Sequence, residues 1–177
     1  MLTVDEALDR ILAEARPLPG IATPLDESLG RVLAESLTSD IDSPPHDKSM
    51  VDGYAVKIDD LDQEEVELQV NEEITAGQVP TREITAGTAS RVMTGAPVPV
   101  GTEAVVMVEQ TEQVESDSGQ RVKMIRQQLE PGAHIMARGT SMRRGDQVLQ
   151  AGTRIRPLEI GLLAEIGQTC ISCVSIP

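Results

Sequence analysis

Asp59-Asp60-Leu61-Asp62-Gln63-Glu64-Glu65-Val66-Glu67-Leu68-Gln69-Val70-Asn71-Glu72-Glu73 holds acidic residues and no Lys or Arg, yet Val66, Leu68 and Val70 alternate with polar neighbours. A period of two puts those three side chains on one face of an extended chain and the acids on the other. The pattern predicts a half-buried strand with a solvated acidic face, rather than a disordered tail or a calcium loop. The same texture continues outward. From Ile41 to Gln128 short alternating segments are separated by Gly, Pro, Asp and Ser, with Ser118-Gly119 between Val114 and Val122 predicting at least one hairpin.

The flanks read differently. Thr3 and Glu6 form a capping box, and Val4, Ala7, Leu8, Ile11, Leu12 and Ala15 share one helical face before Pro17 stops the run. Pro24 to Asp26 reads as short and extended, and Glu27 to Leu37 as a second, weaker helix through Leu29, Val32, Leu33 and Leu37, with Gly30 against it. Glu130-Pro131-Gly132 opens a loop-rich stretch through Gly139 and Gly145. A helix is expected from Pro157 to Ile166, with Pro157 at its first position and Gly167 as its C-terminal cap, then a strand over Thr169 to Ile176. The expected fold is mainly β, in two lobes with a few short helices: residues 1–39 as the N-terminal helix and first part of a mixed lobe, 40–130 as an inserted β lobe, and 131–177 as the second part of the mixed lobe.

With 177 residues the chain fits one moderate domain or two small lobes. Tyr54 is the only aromatic residue, so the core must be built from aliphatic side chains and Met. Few aromatics and a net charge of -14 argue against nucleic acid as a partner, since single strands stack on aromatic rings and phosphates are repelled. No stretch approaches a membrane span, and the N-terminus shows no signal-peptide pattern, so a soluble, cytoplasmic protein is expected. Cys170 and Cys173 lack the further ligands of a zinc site and lie in a predicted strand. They read as packing thiols.

Two segments concentrate chemistry. In Ser43-Pro44-Pro45-His46-Asp47-Lys48-Ser49-Met50-Val51-Asp52-Gly53-Tyr54-Ala55-Val56-Lys57 two prolines stiffen an approach, and Asp52-Gly53 places a carboxylate at a bend. Alone it reads either as a structural turn with Asx-type bonding or as a catalytic loop. His46 and His134 form no triad or metal motif. In Arg91-Val92-Met93-Thr94-Gly95-Ala96-Pro97-Val98-Pro99 a strand ends in a proline-stiffened turn, whose amides and Thr94 hydroxyl suit an anionic oxygen or simply end a strand.

Together the segments resemble the MoeA and gephyrin E-domain family. The first is similar to its signature Asp-Asn-Ser-Ala-Met-Asp-Gly-Tyr-Ala and the second matches its Met-Thr-Gly-Ala-Pro turn, in order and about forty residues apart. Leu29-Gly30-Arg31-Val32-Leu33-Ala34, Ala104-Val105-Val106 and Ala151-Gly152-Thr153 extend the resemblance over nearly the whole chain, and it ends at Pro177, where the family's next domain would begin. The resemblance implies N-terminal lobes with coiled or bifurcated sheets, in a homodimeric enzyme whose remaining α/β domain resembles molybdopterin adenylyltransferase, itself an implied partner. The implied reaction takes adenylylated molybdopterin and molybdate, hydrolyses the adenylate with Mg2+ bound mainly by that other domain, releases AMP and leaves molybdenum on the dithiolene sulfurs.

Asp47, Ser49, Asp52, Gly53, Tyr54, Thr94, Gly95, Pro97, Arg138 and Gly139 match the family's motifs. On that basis Asp52 and Ser49 are expected as catalytic residues, Thr94, Gly95, Arg138 and Gly139 as substrate-binding residues, and no metal ligand is expected in this chain. Two places depart: Lys48 and Met50-Val51 replace Asn and Ala-Met, and Thr140-Ser141 replaces an acidic pair after Arg138-Gly139. An anionic substrate approaching so acidic a chain needs a local positive patch, for which Arg91, Arg138, Arg143, Arg144, Lys48 and Lys57 are candidates, with plain solvation as the other reading. Two other functions stay open: a non-catalytic dimerisation or scaffolding module, favoured by the missing carboxylates, and a small hydrolase using Asp47 and Asp52.

Overall fold

The Thr3 hydroxyl accepts the amide of Glu6, and the Glu6 carboxylate returns to the amide of Thr3 at 2.8 Å, so the chain enters helix α1 (Val4–Glu14) through the expected capping box. The computed structural model describes residues 2–16, 18–116, 119–125 and 128–175, so Pro17 and the Ser118 end of the hairpin turn lie outside the described residues. The chain forms two compact units: Met1–Ile41 with Arg144–Pro177, and Asp42–Arg143.

The first unit adds to α1 the strands β1 (Gly20–Pro24) and β2 (Leu37–Thr38), then, from the later segment, β11 (Gln147–Leu149), α2 (Pro157–Glu165) and β12 (Cys170–Val174). Strand β1 pairs antiparallel with β12, Gly20 opposite Val174 through Pro24 opposite Cys170, and β11 pairs with β2. The helix expected over Glu27 to Leu37 is absent. Leu25–Glu27 makes one 3-10 turn, taking Asp26 out of the extended conformation as well, and the chain then turns at Gly30, with φ 79. Its backbone is used by distant segments: Gly30 donates to Ile155, Leu33 to Thr153 and Ala34 to Ser172, each within 2.9 Å. Tertiary pairing outweighs a weak local preference for helix. Leu33 is fully buried, while Leu29 faces solvent.

Cys173 is buried and Cys170 exposed. Three positions apart on one strand, they point to opposite faces, so packing describes the first thiol and not the second.

The second unit runs β3 (Lys48–Ser49), β4 (Gly53–Val56), β5 (Glu65–Ile74), β6 (Thr88–Val92), β7 (Ala104–Met107), β8 (Thr111–Ser116), β9 (Gly119–Ile125) and β10 (Ile135–Met136). Six of these form one sheet in the order β7-β4-β6-β5-β9-β8. All its pairs are antiparallel except β5 with β6, and β8 with β9 is the expected hairpin. The acidic strand behaves as its alternation predicts: on β5, Leu68 and Ile74 are buried and Glu65 and Glu67 exposed.

Strand β4 lies inside the sheet with every residue buried. Tyr54 and Val56 pack into one cluster with Leu61, Leu68, Val122 and Met124, while Ala55 joins Ile74, Ile84, Val92, Ala96 and Val105 in the other. The Tyr54 hydroxyl accepts a hydrogen bond from the Gln113 side chain at 3.0 Å, so the one aromatic ring is buried with its polar tip satisfied. Gly53 is required by close approach, since a Cβ there would stand 2.1 Å from the Val106 carbonyl oxygen. Among the described residues the fold is mainly β with two short α-helices, as the resemblance implies. Among the described residues no helix is long and apolar enough to cross a membrane.

Candidate functional site

Strand β3 brings the two motif segments together. On one side Ser49 donates its amide to Ala96 at 2.9 Å and accepts the amide of Gly95 at 2.8 Å, while Val98 donates to Asp47 at 3.1 Å. On the other side β3 pairs with β10. The chain leaving β3 turns through Met50 and Val51 and delivers Asp52 beside Thr94.

There the Asp52 Oδ1 atom accepts both the amide and the hydroxyl of Thr94, each at 2.7 Å. The turn amide and hydroxyl suited to an anionic oxygen do hold one, and it belongs to Asp52. The backbone amide of Thr94 and then its hydroxyl hold the Asp52 carboxyl below its ordinary pKa, against a small opposing effect of desolvation and with some help from the Arg91 charge. Asp52 is exposed, and no described residue donates to its second oxygen, Oδ2.

The other expected site residues are committed differently. Ser49 is 1% exposed, and its hydroxyl donates to the Val51 carbonyl at 2.6 Å. It shapes the turn that carries Asp52, and its hydroxyl does not face outward as a catalytic group would. The Gly95 amide is spent on Ser49. Arg138 donates its amide to Asp47 at 2.7 Å and its Nε to Asp42 at 2.7 Å, forming an ion pair there. Gly139, with φ 69, gives its amide to Pro44. Arg138 is therefore tied to the Asp42 and Asp47 end of the segment, and Thr94 to the Asp52 end. Neither Asp42 nor the Asp47–Arg138 contact had a local signal in the sequence, since the partners lie more than ninety positions apart.

Four of the six expected basic residues are engaged with acidic side chains or a carbonyl. Arg91 pairs with Glu73 at 3.6 Å, Lys57 with Glu103 at 2.9 Å and Arg138 with Asp42, while Arg144 donates to the Asp40 carbonyl. No three His, Cys, Asp or Glu side chains converge to hold a metal among the described residues. The donor set present among the described residues does not fit a magnesium site.

Residues 2–167 match the profile of the MoeA N-terminal region, domains I and II. The chain belongs to that family. It is 39% identical over 163 residues to molybdopterin molybdenumtransferase 2 of Mycobacterium tuberculosis, covering 89% of this chain and 39% of the relative. To the molybdopterin molybdenumtransferase of Staphylococcus aureus it is 34% identical over 180 aligned positions, covering 99% of this chain and 42% of the relative. The crystal structure of the molybdopterin biosynthesis MoeA protein from Pyrococcus horikoshii OT3 superimposes with a TM-score of 0.89 at 34% identity, over all of this chain and 47% of that one. The chain thus spans less than half the length of the relatives it matches.

Proposed function

We propose that this MoeA N-terminal region works within an enzyme that inserts molybdenum from molybdate into adenylylated molybdopterin with release of AMP, and that the Asp52–Thr94 pair completes its active site. The observation that carries the reading is the double hydrogen bond from Thr94 to one Asp52 oxygen, which leaves the other oxygen open at an exposed bend. A carboxylate held below its ordinary pKa stays ionised at neutral pH and is a weak base. Asp52 accordingly orients a donor, either a substrate hydroxyl or amine or an attacking water, and favours developing positive charge. Thr94 fixes the carboxylate, and Ser49 is a positioning residue acting through the turn. The names of the relatives support molybdenum transfer to molybdopterin, whereas the adenylylated substrate and the release of AMP follow from the family resemblance.

The proposed enzyme is a homodimer in the cytoplasm that takes a small pterin substrate and uses Mg2+ held outside this region, with molybdopterin adenylyltransferase as a further partner. Two features support parts of this. Val4, Leu8, Ile11 and Leu12 form an exposed apolar stripe on α1 that suits assembly, and the free thiols Cys170 and Cys173 suit a reducing compartment.

In the complete enzyme carrying this region, Asp52→Asn keeps an acceptor for the Thr94 amide but removes the charge. Molybdenum insertion should fall on the order of a hundredfold, with the melting temperature nearly unchanged, and Thr94→Val should lose less. A parental insertion rate for Asp52→Asn overturns the assignment, and with the dimer intact it favours the scaffolding reading.

A further inference from the structure

The second unit contains a cavity of about 410 Å³ whose lining includes neither Asp52 nor Thr94. One wall is the connection from β5 to β6, with Val79, Pro80 and Arg82. The other follows the Thr94 turn, with Val98 and Val100, and His46 closes a side. Both walls are pinned. The Glu72 carboxylate accepts the amides of Thr81 and Arg82 at 3.1 and 3.0 Å and the Thr81 hydroxyl at 2.9 Å. Ile84, 2% exposed, donates its amide to the Val100 carbonyl at 2.9 Å. Gly101, with φ +85, lets the walls close, because a Cβ there would stand 2.5 Å from the Ile84 carbonyl oxygen.

The volume is that of small-molecule sites, which are mostly apolar with a few placed polar groups. Val79 and Val100 are 82% and 71% exposed, apolar surface that an occupant would remove from water. The charge pattern selects the occupant. Arg82 is the one Lys or Arg on the lining, and no carboxylate stands within ion-pair distance of it among the described residues, although the Glu72 charge is near enough to be felt. Glu83 stands on the same cavity wall and opposes a second negative charge.

We propose that this cavity binds a small molecule with a ring-sized apolar body and a single carboxylate, the body lying among Val79, Val98 and Val100 and the carboxylate facing Arg82. The proposal stands apart from the Asp52 reading and is tested without any turnover. The probes are indole-3-acetate and its neutral counterpart indole-3-acetamide, titrated into the 177-residue chain and followed by amide NMR shifts. Saturable shifts are expected at residues 78–83 and 98–100. Arg82→Gln should weaken indole-3-acetate about three- to fivefold and Glu83→Gln should tighten it about twofold, the scale of exposed charge interactions. Indole-3-acetamide should bind the parent about as weakly as the acid binds Arg82→Gln. Shifts centred elsewhere, an unchanged affinity in Arg82→Gln, or an amide that binds as tightly as the acid would each overturn it.

Discussion

Helices α1 and α2 start alike: the carboxylate of Glu6 reaches back to the Thr3 amide at 2.8 Å and that of Glu159 to the Arg156 amide at 2.9 Å. Helix α1 then buries none of its residues, while α2 buries Glu159 and Leu163. The regular apolar stripe belongs to the exposed helix, and the buried one carries the weaker periodicity. A cap and a period specify that a helix forms and which side is apolar. Burial also requires a second surface, which α2 finds at the Leu25–Glu27 turn and α1 does not find within the described residues.

The difference is tested most severely at Leu163, which is fully buried. Leu163→Ala should cost about 2 to 5 kcal/mol through lost transfer energy and a residual cavity, read as a drop in the thermal midpoint. A cost near zero would mean that α2 is as loosely held as α1.

A smaller effect comes from the cap of α2. The Arg156 guanidinium bonded to Glu159 lowers the carboxyl from 4.5 to about 2, against burial and with help from the Arg156 amide. A lowered folded-state value means the contribution is fully present above the unfolded value of 4.5 and is lost as pH falls toward about 2. The midpoint of the parent should therefore fall between those limits more steeply than that of Glu159→Gln. Equal slopes in the two proteins would remove the linkage.

The smallest effect is expected in α1. In the monomeric chain, Leu8→Ser combined with Ile11→Ser should change stability by less than about 0.5 kcal/mol, since surface substitutions away from packed features rarely do more. A loss that grows with protein concentration would place α1 against a second copy and erase the contrast with α2.

What the sequence made legible was local. The alternation over Val66, Leu68 and Val70, the β8–β9 hairpin and the Thr3–Glu6 cap are signals that lie within a few residues of the structures they specify. The segment from Glu27 to Leu37 misled because its backbone partners, Thr153, Ile155 and Ser172, are far along the chain and no local pattern announces them. Likewise both halves of the Asp52–Thr94 pair stood out by motif, but their contact across 42 positions came only with β3 laid between its neighbours. Arg138 was visible as a motif residue, while its real counter-ion, Asp42, carried no mark.

The pairing of Gly20 with Val174 governs the order in which the chain becomes ordered during synthesis. The unit Asp42–Arg143 is continuous and holds all its sheet partners as soon as its last residues emerge. Thr23 and Leu33, made earlier, remain without β12 until the stretch Cys170–Val174 appears. Contacts of long sequence separation form late because loop closure must precede them. The stretch from Thr23 to Leu33 is therefore among the last of its unit to close, and until then Leu33 offers apolar surface to any chaperone or neighbouring chain that reaches it first.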